Sequence, residues 1–86
     1  MVHLRILTPE KVIFDGEVTT TKIPGLEGYF EVLKDHAPLI SLLREGAVNA
    51  TETSGQKHTW IVTGGVVEVF KNNIRLLADA VKDSKG

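Results

Sequence analysis

Turn-forming residues recur about every ten positions along this chain, and the short runs between them are rich in valine, isoleucine and leucine. That punctuation leaves no stretch with a helical period and matches the spacing of an all-β sandwich or barrel. Strands are expected over residues 4–7, 12–14, 17–23, 29–33, 39–43, 47–52, 58–63, 66–70 and 74–78. A single domain, 1–86, must hold them all, because 86 residues are too few for a second core.

The second half declares its turns most clearly. Gly64-Gly65 reads as a two-residue hairpin loop, since glycine accepts the positive φ angles that primed turns require. Asn72-Asn73 and Thr53-Ser54-Gly55-Gln56 read as two more tips, giving a four-stranded meander. Alternation along it turns Trp60, Val62, Val67, Val69, Ile74, Leu76 and Ala78 inward. In the first half the breaks are Thr8-Pro9, Asp15-Gly16, Pro24-Gly25, Glu27-Gly28 and the run from Asp35 to Pro38. Pro24 and Pro38 lack a ladder donor and should end strands or sit at sheet edges. The polar tail from about 80 to 86 is expected to fray.

Composition excludes several kinds of function. Ten basic and eleven acidic residues are mixed along the chain, without the basic stripe that displaces counterions from nucleic-acid phosphates. There is no cysteine, so disulfides, thiolate metal sites and cysteine nucleophiles are all absent. His3, His36 and His58 stand at no metal-ligand spacing. Ser41, His36 and Asp35 lack a nucleophile elbow, and Gly64-Gly65 is not followed by the lysine and helix of a phosphate cradle. Glu17 and Glu68 fall at solvent-facing strand positions rather than in an acid-base pair. No catalytic residue, cofactor, metal or small-molecule substrate is therefore expected. Apolar runs are too short to cross a membrane as a helix, and Met1-Val2-His3 is not the start of a signal peptide.

One segment breaks the alternation. Leu39-Ile40-Ser41-Leu42-Leu43 is apolar at both parities, and Val12-Ile13-Phe14 repeats this on a smaller scale. Such a strand is either covered on both sides within the domain or carries a face that binds something else. This favours an interaction module over an enzyme. A small carbohydrate- or peptide-binding sandwich is the alternative module, but it would need exposed aromatics in a groove, and the chain has one tryptophan, one tyrosine and three phenylalanines to divide between groove and core.

Three segments in order carry a resemblance: Leu4-Arg5-Ile6-Leu7-Thr8-Pro9 running to Phe14-Asp15-Gly16; Pro24-Gly25-Leu26-Glu27-Gly28-Tyr29-Phe30 through Leu33 to His36-Ala37-Pro38-Leu39; and Thr63-Gly64-Gly65-Val66-Val67-Glu68-Val69 through Asn72-Asn73 to Leu76-Leu77-Ala78-Asp79. Together they resemble the N-terminal domain of the epsilon subunit of rotary, F-type ATP synthases. The resemblance implies a flattened two-sheet antiparallel β-sandwich of about eight to ten short strands. It also implies a non-catalytic place in the central stalk, between the gamma subunit and the c ring, coupling proton-driven rotation to ATP synthesis. The implied location is the cytoplasmic face of the bacterial inner membrane, with the thylakoid stromal face as the other option.

By the same resemblance Thr8, His36, Ser41 and Leu42 face gamma, and the turn of Glu27, Gly28 and Tyr29 faces the c ring. Two positions depart from the family pattern: Glu31 stands where glycine is common, and Tyr29 where relatives often carry a polar or acidic residue. In most bacterial relatives a helical hairpin follows the motif that here is Ala78-Asp79. These 86 residues reach only Gly86 and do not contain it.

Overall fold

The computed structural model describes residues 1–85, with side chains described as far as Lys82. Gly86, the last residue of the expected tail, lies outside them. Every regular element is a strand: β1 (Val2–Leu7), β2 (Val12–Gly25), β3 (Gly28–Val32), β4 (Leu39–Leu43), β5 (Gly46–Glu52), β6 (Lys57–Val62), β7 (Gly65–Phe70), β8 (Asn73–Ala78) and β9 (Val81–Lys85).

The architecture turns on β2. Its first half pairs antiparallel with β1, from Leu7↔Val12 to Val2↔Val18. Its second half pairs with β5 and β3, and its last residue, Gly25, lies opposite Leu43 of β4. One layer therefore runs β2-β1-β8-β7-β4 and the other β3-β2-β5-β6-β9, with β2 shared between them. Asp15-Gly16 is not a turn, so the strands expected at 12–14 and 17–23 are one. β1 offers an unbroken partner across that point, Arg5↔Asp15 and Leu4↔Gly16, and the extended backbone is the way to use it. All pairings are antiparallel except β1 with β8, which is parallel.

The second half is a ribbon bent at a corner rather than a flat meander. From the turn at Lys71-Asn72 the ladder runs Phe70↔Asn73 to Gly65↔Ala78. It continues through Asp79 N–H to Gly64 C=O (3.0 Å) and Thr63 N–H to Ala80 C=O (3.1 Å), then resumes as Val62↔Val81 in β6 and β9. β6 and β7 thus do not pair with each other, and Gly64-Gly65 is the crossing from one layer to the other. Both glycines have positive φ, 143° and 135°, and a Cβ on Gly65 would run into the carbonyl of Leu77. The same continuity makes residues 81–85 a strand instead of a frayed tail: the polar segment completes the returning arm of the ribbon. The turn lies one residue earlier than the Asn72-Asn73 reading, on Lys71 (φ 49°) and Asn72 (φ 62°).

Between the layers lies a core of β1, β7 and β8 residues (Leu4, Ile6, Val67, Val69, Ile74, Leu76) against Ile23, Val48, Trp60 and Val62. All seven residues assigned inward from Trp60 to Ala78 are buried. Phe14 of β2 reaches Trp60 of β6 at 5.1 Å between ring centroids, and His58 stacks on Trp60 at 5.2 Å while its Nε2 meets the Glu52 carboxylate. Thr21, the one buried polar side chain among the described residues, donates to Asn49 C=O at 2.9 Å, so it carries no unmet desolvation cost.

Candidate partner-binding face

In β4 alternation turns Leu39, Ser41 and Leu43 toward the interior and leaves Ile40 73% and Leu42 59% exposed. The both-parity pattern therefore marks an uncovered face. Strand register then lines up more of the same. Leu42 is opposite Val66, Val66 opposite Leu77, Leu77 opposite Leu7 and Leu7 opposite Val12, an apolar row across β4, β7, β8, β1 and β2. Leu77 and Val12 are also exposed. With Thr8, Pro9 and Asp79, the residues Leu42, Val66, Leu77 and Leu7 border a shallow groove of about 560 Å³.

The next row begins at Ile40 and is otherwise charged, with Glu68, Arg75, Arg5 and Asp15 in register and Arg5 Nε 3.7 Å from Asp15. Beyond it His3 donates across β1–β2 to Glu17 (2.7 Å) and Asp15 (2.5 Å). The hydrogen bond to Glu17 first, then that to Asp15, holds the imidazole above its ordinary 6.5, against the opposing effect of burial. Nothing here resembles an acid-base or metal centre, and no metal-ligating cluster exists among the described residues. The arrangement is a sticky stripe beside a charged rail, suited to gripping a protein surface.

Of the residues expected to face gamma, Thr8 and Leu42 share the groove. Thr8 Oγ1 is held by Lys11 N–H (3.3 Å) and caps the turn that leads out of β1. Ser41 is on the opposite parity from Leu42 and lines a cleft with Phe30 and the β2–β3 turn. His36 sits in the loop before β4, at the other end of the layer from Thr8. Leu42 lines the cleft of Ser41 as well, so Thr8, Leu42 and Ser41 adjoin and His36 stands apart from them.

Glu27, Gly28 and Tyr29 do lie together. Leu26-Glu27 is the tip between Gly25 and Gly28, tied to β4 by Leu26 N–H to Leu42 C=O (2.9 Å) and Arg44 N–H to Pro24 C=O (3.0 Å). Tyr29 folds away from the tip, over the start of β5. Its hydroxyl accepts the Ala47 N–H at 3.0 Å, and a Cβ on Gly46 would stand 2.5 Å from that oxygen. The tip thus borders the apolar row, and the two expected faces meet at Leu26 and Leu42. Glu31 accepts from Thr20 Oγ1 at 2.7 Å on the outer side of the other layer. Leu7, Val66 and Leu77 were not singled out from sequence, although Val66-Val67 and Leu76-Leu77 break alternation as the 39–43 run does.

The family profile described as "ATP synthase, Delta/Epsilon chain, beta-sandwich domain" matches residues 1–84. The chain belongs to this family. An ATP synthase epsilon chain of Bradyrhizobium sp. (strain ORS 278) is 40% identical over 83 residues, which are 96% of this chain and 61% of that protein. One from Chlorobaculum tepidum is 41% identical over 78 residues, covering 91% of this chain and 89% of the relative. The chain thus spans about three fifths of the Bradyrhizobium relative and most of the Chlorobaculum one. Among solved structures, a chain of the Euglena gracilis mitochondrial ATP synthase superposes with a TM-score of 0.87 at 20% identity, over 94% of this chain and 52% of that one. A chain of the Tetrahymena thermophila mitochondrial ATP synthase central stalk and c ring gives 0.73 at 21%, over 98% and 65%. At those identities the likeness is one of fold, and it is the β-sandwich expected from the sequence.

Proposed function

We propose that this domain is a non-catalytic coupling piece of a rotary ATP synthase, docked on the gamma subunit through its apolar row and set against the c ring by the tip at Glu27, Gly28 and Tyr29. Family membership supports the setting. The carrying observation is the in-register apolar row Leu42-Val66-Leu77-Leu7, with Leu42 and Leu77 exposed and Leu7 and Val66 half-buried on the outer side of one layer. Monomeric proteins seldom leave contiguous apolar area of this kind without a partner. A docking interface of standard size would cover about 800 Å² on each side.

A piece that transmits torque needs stiffness and two gripping faces rather than chemistry. Two hydrogen-bonded layers around a close-packed core supply the stiffness. The row and the tip, adjoining at Leu26 and Leu42, supply the grips. In this reading the domain rides with gamma and the ring at the cytoplasmic face of a bacterial inner membrane, and its loss loosens the stalk so that proton flow uncouples from synthesis. Gel filtration of the chain with and without the gamma subunit tests this: co-elution is expected, with no nucleotide turnover by the chain alone. Separate elution would contradict it.

A further inference from the structure

The first half of β2 is held differently from the rest of that strand. Val18 pairs on both sides, with β1 and β5, and Thr21 and Lys22 pair with β3 and β5. Residues 12–17 pair, among the described residues, with β1 alone, and that ladder is interrupted by a register shift between Ile6 and Leu7. No residue from 12 to 17 is fully buried. Val12 is exposed at the end of the apolar row, while Phe14 reaches across the sandwich to the rings of Trp60 at 5.1 Å and His58 at 5.2 Å. A segment with one ladder and a free edge is where local opening costs least. The His3 N–H turns toward β8, donating to Asn72 C=O at 2.9 Å, so alternation turns Leu4 and Ile6 toward β2. Their partners in register, Gly16 and Phe14, are therefore the hydrogen-bonded residues of this ladder.

One imidazole on β1 bridges two carboxylates on this segment: His3 Nδ1 is 2.7 Å from Glu17 and Nε2 is 2.5 Å from Asp15. Only the imidazolium has two N–H groups, so a neutral ring turns a lone pair on one of the carboxylates. Asp15 has a second cation, Arg5 Nε at 3.7 Å, whereas Glu17 has no other side-chain partner among the described residues. From the other side β8 sets Asn73 beside His3 and Arg75 in the adjoining row, and the β7–β8 turn brings Lys71, which lies over the Phe70 ring. We propose that the first half of β2 is a pH-gated strap over Trp60, latched by the His3 imidazolium through Glu17 and Asp15 and released locally when that ring loses its proton. Release uncovers Trp60 and carries Val12 away from the end of the apolar row. The device does not depend on what docks there. The two bonds that make the latch, Glu17 first, are also what raise the His3 pKa, so the strap is closed below the raised value and loosens as pH rises through it.

Amide hydrogen exchange of the chain, followed residue by residue by NMR and corrected for the intrinsic pH dependence of exchange, tests the strap. Phe14 and Gly16 are expected to exchange faster than the amides of β7 and β8 at every pH. They should respond little to sub-denaturing urea, because a local opening exposes little surface. Their protection should fall about tenfold as pH rises from 6.5 through the raised His3 pKa, the effect of losing one charge-assisted hydrogen bond. In His3→Gln it should stay at the wild type's high-pH level throughout. Glu17→Gln, which keeps an acceptor for the ring and removes the charge, should show a smaller pH response than wild type. Exchange of Phe14 and Gly16 with the urea dependence of β7 and β8 would mean that the segment opens only with the whole domain. A full pH response in His3→Gln would trace it instead to the His58 and Glu52 pair beneath Phe14. Either result overturns the strap.

Discussion

The outer sides of the two layers are built from the same kind of strand and face water in opposite ways. On one, register sets Leu42, Val66, Leu77 and Leu7 side by side. On the other, the corresponding row is Glu31, Lys22, Asn49 and Thr59, with Thr59 Oγ1 donating to Asn49 Oδ1 at 2.7 Å and Thr20 Oγ1 to Glu31 at 2.7 Å. The polar row bonds across its own strands, whereas the leucine and valine row has only apolar surface to offer. The difference shows that stability alone did not shape the outer positions, because a sandwich needs only its inward faces to be apolar.

The largest effect should come from placing a charge on the apolar row. Leu42→Asp is expected to weaken gamma binding about a hundredfold while the β-type circular dichroism and a cooperative melt persist, since a well-packed interface leucine contributes roughly 2–3 kcal/mol. Loss of the folded state would instead put Leu42 in the core. Its counterpart on the other side, Asn49→Asp, opposes Lys22 and keeps the acceptor for Thr59, so gamma affinity should change by no more than about twofold, as for other surface substitutions.

The smallest effect concerns pH and involves the apolar layer alone. His3 faces Asp15 and Glu17 from β2, with Asn73 beside it on β8 and Arg5 and Arg75 in the adjoining row. Because its folded pKa is raised above 6.5, the stabilisation is fully present below that value and is lost as pH rises through the raised pKa. The melting temperature should therefore drift downward as pH rises from 6.5 through the raised pKa, and His3→Gln should remove that drift. An unchanged slope in the variant would show that the His3 bridge does not contribute.

How much of this was legible in the sequence depended on what each residue type constrains locally. Alternation named the inward residues from Trp60 to Ala78 correctly, because burial on one face imposes a period of two whatever the pairing. It could not name the pairing. Gly64-Gly65 declares positive φ, and a layer-crossing corner needs that as much as a hairpin does, so the bent ribbon was read as a meander and its last arm, 81–85, was missed. Asp15-Gly16 looked like a turn because the long-range partner that keeps it extended, β1, is not a local signal. The apolar row was half visible. Leu42 stood out within a run of five, while Val66 and Leu77 became neighbours only through strand register. Ser41 and His36 were grouped with Leu42 by resemblance; the fold sets Ser41 beside Leu42 in the cleft at the β2–β3 turn and His36 at the other end of the layer.

The central claim is that one outer face is a docking surface and the other is not. Because the chain has no cysteine, Ile40→Cys and Asn49→Cys each introduce a single reactive site, one per face, whose maleimide labelling rate can be followed with and without the gamma subunit. The account expects gamma to slow labelling at position 40 at least about tenfold and to leave position 49 unchanged. Equal protection of both, or protection of position 49 alone, would contradict it.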